Sequence, residues 1–431
     1  MSVICASEGS SPVPTPLFSA PATPETERDE YFDEPSLPVQ DDAPYVLVTG
    51  GLGYIGSHTS LELLRAGYNV IIVDDLSNSF HHVFDRILLA AKQHFDRTGG
   101  HCPKAELRCN DFRDMPAMRA LLASYTVDTD TINHDSHPRS RITGVIHFAA
   151  FKDVNDSLRN PLKYYHNNVT GLVDLISLLS SHDIKTFIFS SSANVYGTLA
   201  QSHGTLREEH CVHQPETYYH NNDATNYPVT SEQGCTGITN PYGRTKWIGE
   251  AILSDVATSD PTWTILGLRY FNPIGCDPSG LLGEDPRGTP SNLVPVVVQV
   301  LTGQLPALSV YGTDWATPDG TAIRDFIHVS DVARGHIAAL AAALAGQVKT
   351  SFRTFNLGTG RGHSVAEVVA AMESVSQMSI PKRLAERRPG DVESCVAVPD
   401  RAACELGWEA RKSLQDACED LWRSLRGEAL D

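Results

Sequence analysis

Tyr242 and Lys246 stand four residues apart in Tyr242-Gly243-Arg244-Thr245-Lys246, on a stretch that reads as a helix over residues 242–256. That spacing puts both side chains on one helix face. A phenol beside an ammonium is equipment for moving a proton. Free tyrosine ionises near pH ~10, so a base working near neutrality needs its ionisation eased by roughly 4 kcal/mol. Tyr-x-x-x-Lys occurs often by chance and usually marks a surface pair. Its weight here comes from Phe187-Ile188-Phe189, an apolar strand running into Ser190-Ser191-Ser192-Ala193-Asn194. In open α/β sheets a ligand sits beyond the carboxyl ends of the strands, where these serines fall. One hydroxyl there can hydrogen-bond a reacting oxygen; Ser192 is the choice for chemistry, and Ser190 reads equally well as a polar strand end.

Residues of that kind need a scaffold, and the pattern of the chain supplies one. Short apolar runs at 45–48, 70–73, 105–107, 144–148, 186–189 and 264–268 alternate with helical stretches at 57–66, 83–95, 161–179 and 242–256. This is the rhythm of βαβ units, so the fold class is α/β: a Rossmann-type, doubly wound parallel sheet. After Asn272 the composition turns richer in Pro and Gly before further strands and helices, which predicts a smaller C-terminal α/β domain over 272–431. The sheet domain is expected over 43–271, with a return segment near 326–360. Residues 1–42 are rich in Ser, Pro and acidic residues and read as a disordered tail. The segments 126–141 and 202–240 are long, polar and aperiodic, and read as decorations on a shorter core.

The first strand ends in Thr49-Gly50-Gly51-Leu52-Gly53-Tyr54-Ile55-Gly56 and opens a helix. Gly50 and Gly53 suit a tight turn whose backbone approaches a pyrophosphate. Gly56 allows close packing of the helix, whose N-terminus attracts anions. A glycine pattern alone is weak, but the second strand ends at Asp74, placed to accept from ribose hydroxyls. Its carboxylate would repel a 2′-phosphate, which favours NAD over NADP. A structural glycine turn followed by a solvated acidic pair is the bland alternative. With NAD in place, its positive nicotinamide ring joins the Lys246 ammonium in easing ionisation of Tyr242.

Bulk numbers exclude other classes. The 431 residues are 41% hydrophobic and 20% charged, enough for a sizeable core, and the net charge of -18 would repel nucleic acid and anionic membrane. Nine scattered cysteines without a Cys-x-x-Cys pair fit a reducing, cytoplasmic setting. No apolar run approaches the roughly 20 residues of a membrane helix. The His210-Cys211-Val212-His213 cluster lacks a fourth ligand at a recognisable spacing, so no metal is expected.

From Val46 to about Trp422 the chain resembles the UDP-glucose 4-epimerase family of extended short-chain dehydrogenase/reductases. The resemblance implies a Rossmann domain carrying NAD, a smaller domain carrying a UDP-hexose, and dimerisation through helices. It assigns the dinucleotide turn to Gly50, Gly53, Tyr54, Ile55 and Gly56, adenosine and ribose contacts to Asp74 and Asn78, and the adenine pocket to Asp111 and Phe112. Phe148, Ala149, Lys152, Asn167, Ser190 and Tyr270 fall on cofactor positions, and Lys152 also on a substrate position. Ser192, Tyr242 and Lys246 match the catalytic serine, tyrosine and lysine. Asn272 is expected on the UDP-sugar, Ser291, Asn292 and Leu293 at the diphosphate turn, and Ser309 and Tyr311 on the uracil-facing strand. Arg324 and Arg388, with Asp391 beside the latter, match a diphosphate clamp, a task that suits the bidentate guanidinium fork. Cys395 occupies a position whose small residues are associated in the family with room for a 2-acetamido group.

The implied activity is reversible epimerisation at carbon 4 through a 4-keto intermediate. Two features depart from the family: Lys152-Asp153-Val154-Asn155-Asp156-Ser157 replaces Lys-Ala-Val-Gly-Glu-Ser, and Phe326 replaces Tyr. A nucleotide-sugar 4,6-dehydratase is the close rival, but it needs Asp-Glu where Ala193-Asn194 stand. A non-catalytic NAD-sensing protein is the distant one, and intact Ser192, Tyr242 and Lys246 argue against it.

Overall fold

The computed structural model describes residues 44–127, 139–219, 228–231, 234, 235, 237–288, 290, 292–388 and 390–427. The tail over 1–42, the middle of the 126–141 segment and Ser291 lie outside the described residues.

Seven parallel strands form the central sheet: β1 (Tyr45–Thr49), β2 (Asn69–Val73), β3 (Ala105–Arg108), β4 (Ile142–His147), β5 (Thr186–Ser192), β6 (Thr264–Tyr270) and β7 (Phe352–Leu357). Their order across the sheet is β7-β6-β5-β4-β1-β2-β3. Successive side chains leave a strand on opposite faces, and the core obeys this period of two. Val46 and Val48 of β1, with Val70 and Ile72 of β2, enter one apolar cluster together with Leu61, Leu64 and Leu340. Tyr45, Leu47, Ile71 and Val73 enter the other, with Leu121, Leu175 and Leu253. Both faces being covered, the strands are buried on both sides, as a doubly wound parallel sheet requires.

The helices that cover it include α1 (Tyr54–Arg65), α2 (His82–Thr98), α3 (Met115–Ser124), α4 (Gly171–Ser181), α5 (Pro241–Ser259) and α6 (Val329–Leu344). α1 starts three residues before the sequence-based bound, directly after the last turn glycine. The stretch expected as one helix over 161–179 is Pro161–Tyr165, a π-helical turn His166–Thr170, and then α4. Asn167 and Asn168 sit in that turn and are buried. Such wide turns collect at functional sites.

Beyond β6 the chain makes shorter strands around a separate apolar cluster containing Val297, Leu308, Val310, Val369 and Ile380. Leu308–Tyr311 pairs with Lys382–Ala385, and Asn272–Ile274 with Phe326–His328. Ile323–Arg324 pairs with Ser394–Cys395, whose strand continues onto Thr205–Leu206. The described part of the 202–240 segment is therefore not the surface decoration its composition suggests. Leu206, Glu208, Cys211 and Val212 are buried, and Glu208 accepts from the backbone N–H of Asn356 in β7 at 2.7 Å. Polar residues that bury themselves in pairs leave no apolar periodicity to read.

Candidate active site

Chemistry converges where the carboxyl end of β5 meets the first turn of α5. Ser190, Ser191 and Ser192 lie within the strand itself and are buried. α5 begins with Pro241, whose missing N–H costs nothing there, and is capped by Asn240, which accepts from the Gly243 N–H at 2.8 Å. A Cβ on Gly243 would come within 3.0 Å of the Asn194 carbonyl, so this glycine lets the helix close onto the turn after β5. The closure sets Tyr242 beside Ser192. Ser192 Oγ accepts from the Asn194 N–H at 3.2 Å and from its side-chain amide at 3.1 Å, which leaves the hydroxyl proton to be donated.

Lys246 is buried and donates to the Ser190 carbonyl at 2.6 Å. Its Nζ is 5.0 Å from the Phe189 ring centre and 6.0 Å from that of Tyr242. Burial lowers its pKa to about 7, with the Glu250 carboxylate one turn on working in the opposite direction. Burial raises the Tyr242 phenol above its ordinary value, and the hydrogen bond from Ser192 pulls it back down. The Lys246 ammonium is thus aimed at the Ser190 carbonyl, beside the Tyr242 ring and not hydrogen-bonded to its phenol.

Behind this corner lies a network that sequence reading missed. Glu250 accepts from Ser191 Oγ at 2.5 Å, from Arg269 at 3.0 and 2.7 Å, and pairs with His213 at 2.8 Å. Burial pushes the Glu250 carboxyl up, but Arg269 and His213 outweigh it and hold it far below the usual carboxylate range. All five N–H donors of Arg269 are engaged, the others by Tyr196 Oη at 3.1 Å and the carbonyls of Glu208 and Cys211 at 3.4 and 2.7 Å. His213, singled out with a metal in mind, is a hydrogen-bond partner of Glu250. A buried strand arginine at 269 and a glutamate four residues past Lys246 were the signals available.

The glycine turn is shaped for a phosphate. Gly50 has φ +71°, and a Cβ there would meet Ala149 N at 2.7 Å; one on Gly56 would meet the Gly50 carbonyl at 2.2 Å. These two serve the fold. A Cβ on Gly53 would touch only the Gly50 carbonyl, at 3.4 Å, so the protein does not require glycine there. Gly53 is the N-cap of α1 and no side chain caps it, so the first-turn N–H groups of Tyr54, Ile55 and Gly56 offer themselves to an anion. Tyr54 Oη donates to the Gly275 carbonyl at 2.6 Å, tying α1 to the segment after β6. Asp74, the residue after β2, is buried, accepting from Leu52 N at 2.9 Å, Leu76 N at 3.0 Å and Ser79 Oγ at 2.7 Å, so it also builds the turn.

The remaining cofactor candidates divide. Phe148 and Ala149 donate to the Thr49 carbonyl, bringing the β4 exit against the glycine turn at the point where strand order reverses. Tyr270 Oη meets His336 Nε2 at 2.5 Å, and Asn167 donates to Asn168, which in turn reaches Thr245 of α5 at 3.0 Å. Asn78 is exposed and accepts from Arg287 N at 3.3 Å. Asp111 is held by Arg113, whose hydrogen bonds keep its carboxyl below the usual range. The Phe112 ring packs into the core 5.1 Å from His147, so its side chain faces inward. Lys152 is exposed and paired with Glu284 at 3.1 Å.

The substrate candidates gather on the short strands. Arg388 donates to Asp391 at 3.0 Å, and Arg324 lies 3.9 Å from the same carboxylate, so two guanidiniums share one acid. Arg388 also stacks 4.8 Å above Tyr311, while Ser309 accepts from Arg383 at 3.2 Å. Cys395 faces Arg324 across the strand pair, and burial pushes its thiol up to about 11. Asp325, next to Arg324, is buried and accepts from Thr359, Gly360 and Ala397, pinning the clamp strand. Asn292 caps the helix Leu293–Leu301 without a side-chain hydrogen bond, so that N-terminus too is open to an anion. Asn272 is exposed at the head of its short strand.

The chain is similar to known proteins along most of its length. The NAD dependent epimerase/dehydratase family matches residues 46–358. The UDP-glucose 4-epimerase of Bacillus subtilis is 43% identical over 88% of this chain and 96% of its own length. That of Mus musculus is 40% identical over 88% and 95%. Among solved structures, UDP-glucose-4-epimerase of Stenotrophomonas maltophila, with bound NAD and formylated UDP-arabinopyranose, superposes with a TM-score of 0.71 at 38% identity, covering 89% of this chain and 98% of that one. The Bifidobacterium longum UDP-glucose 4-epimerase in complex with NAD+ and UDP gives 0.70 at 38% identity, covering 90% and 100%. The UDP-Glc/GlcNAc 4-epimerase of Campylobacter jejuni gives 0.64 at 29%, covering 89% and 100%.

Proposed function

The chain belongs to the NAD dependent epimerase/dehydratase family, and we propose that it inverts carbon 4 of a UDP-hexose, interconverting UDP-glucose and UDP-galactose. The juxtaposition of Tyr242 with Ser192 at the carboxyl end of β5 carries the reading. NAD, when bound, supplies the reversible hydride acceptor and a positive ring that favours the phenolate. Gly53 and the first turn of α1 would take its pyrophosphate, and Asp74 its ribose. Tyr242 accepts the proton of the sugar 4-hydroxyl as that carbon becomes a ketone, and returns it once the carbon is reduced on its other face. Ser192 turns its hydroxyl proton from Tyr242 to the same oxygen. Arg324 and Arg388 hold the diphosphate while the 4-keto sugar turns about its link to UDP.

Residues 43–271 act as the cofactor domain and 272–431 mainly as the sugar-nucleotide domain. The protein works as a cytoplasmic homodimer: Leu158, Leu162 and Val173 are exposed on neighbouring helices, a surface suited to helix pairing, and the described cysteines are free. No described helix is long and apolar enough to cross a membrane.

Incubating purified protein with UDP-galactose, without added reductant, is expected to yield UDP-glucose. No conversion in the presence of NAD overturns the reading. The small Cys395 side chain supports use of UDP-N-acetylhexosamines as well. Cys395→Tyr is then expected to lose UDP-N-acetylgalactosamine turnover and keep that of UDP-galactose; parallel loss of both contradicts the pocket assignment.

A further inference from the structure

Two cysteines of the 202–240 segment face each other. Val212 and Gly234 form an antiparallel bridge, with Gly234 N donating to the Val212 carbonyl at 3.0 Å. In that register Cys211 stands directly opposite Cys235. Residues opposed across an antiparallel pair have Cα atoms about 4.5–5.5 Å apart, inside the span of about 4.4–6.8 Å that a disulfide bridges. Both thiols are free, and the two sulfurs lie within hydrogen-bonding reach of each other.

Their surroundings differ in the way a reactive pair requires. Cys211 is fully buried and its thiol also reaches the Val195 carbonyl at 3.7 Å. Cys235 is half-buried and lines an open cavity of about 300 Å³ with Gly237, Ile238, Arg244, Trp247 and Ile248, so small solutes reach it. Its interaction with the Cys211 thiol lowers the Cys235 pKa against burial and the Glu250 carboxylate, with Arg244 and Arg269 assisting. Thiolate character and access decide which cysteine reacts first.

We propose that Cys211 and Cys235 are a redox-active dithiol, oxidised to a disulfide by hydroperoxides, with Cys235 the attacking and Cys211 the resolving sulfur. The Cys235 thiolate attacks one peroxide oxygen; the O–O bond breaks, and the leaving hydroxide takes a proton to become water. The Cys211 sulfur then attacks the resulting sulfenic acid, the S–O bond breaks, and a second water leaves. Two thiols and one hydrogen peroxide give one disulfide and two waters, the electrons passing from sulfur to oxygen. The bond would lock the segment at the residue whose carbonyl holds Arg269, and so reaches the network behind Ser192 and Lys246. This inference does not depend on the sugar substrate.

Treating the full-length, NAD-loaded protein with stoichiometric hydrogen peroxide is expected to remove two thiols and two hydrogens of mass. Peptide mapping is expected to join Cys211 to Cys235 and to find the exposed Cys109 and Cys404 still reduced. Dithiothreitol restores both thiols. In Cys211→Ala, Cys235 is expected to stop at a dimedone-trappable sulfenic acid; in Cys235→Ser, Cys211 stays a thiol. A wild-type protein that keeps both thiols, or that oxidises Cys235 to a sulfinic acid while Cys211 remains free, overturns the proposal.

Discussion

The corner that holds Tyr242 and the rim that holds Arg324 and Arg388 treat charge in opposite ways. At the corner, the buried Glu250 takes hydrogen bonds from Ser191, Arg269 and His213, and every donor of Arg269 is spent inside the protein. At the rim, two guanidiniums share Asp391, one of them at 3.9 Å, and Arg388 is half exposed. A fully paired buried network fixes geometry, which proton transfer needs, because removing any partner strands a desolvated charge. Underpaired arginines keep donors free for phosphate, which recognition needs. The contrast separates variants that stop chemistry or unfold the protein from variants that only weaken binding.

The largest expected effect is at the corner's surface. Tyr242→Phe is expected to lower kcat by about 100- to 10,000-fold with an unchanged melting temperature, checked by steady-state kinetics and calorimetry. Glu250→Gln leaves Arg269 buried without its counter-charge and is expected to cost about 3–5 kcal/mol of stability in urea unfolding. At the rim, Arg324→Ala or Arg388→Ala is expected to weaken UDP-sugar binding by about 1.5–3 kcal/mol, roughly a 10- to 100-fold rise in KM, with the unfolding curve in place. An Arg324 variant that unfolds the protein while a Glu250 variant does not would erase the distinction.

A further effect is one of pH. Burial lowers the folded Lys246 pKa to about 7, against 10.5 for a free lysine. Between those values the unfolded chain holds a proton that the folded NAD-free protein has lost, so stability rises with pH across this window. Lys246→Met is expected to remove that rise, read as the difference between the two proteins' unfolding free energies at pH 7 and pH 10.

The sheet and the cofactor turn were legible because period-two apolar runs and a glycine turn after a strand each carry a physical signal. So was the approach of Tyr242 to the serines, since helix spacing and strand direction determine it. What was not legible lies in long-range polar pairing. Nothing local announces that His213 will find Glu250, that Glu208 will reach β7, or that Arg269 sits inside a strand with five partners. The 202–240 segment therefore read as a loop while its described part buttresses α5 through His213.

In the proposed reaction Tyr242 gives up its proton although burial holds its pKa above the ordinary tyrosine value, so what binds beside it has to ease the ionisation. Spectrophotometric titration of the phenolate, taken as wild type minus Tyr242→Phe, tests this in NAD-loaded and NAD-free protein. The NAD-loaded form is expected to ionise at least a hundredfold more readily, at a pH nearer neutrality. Equal titration midpoints in the two forms would contradict Tyr242 as the acid and base of this site.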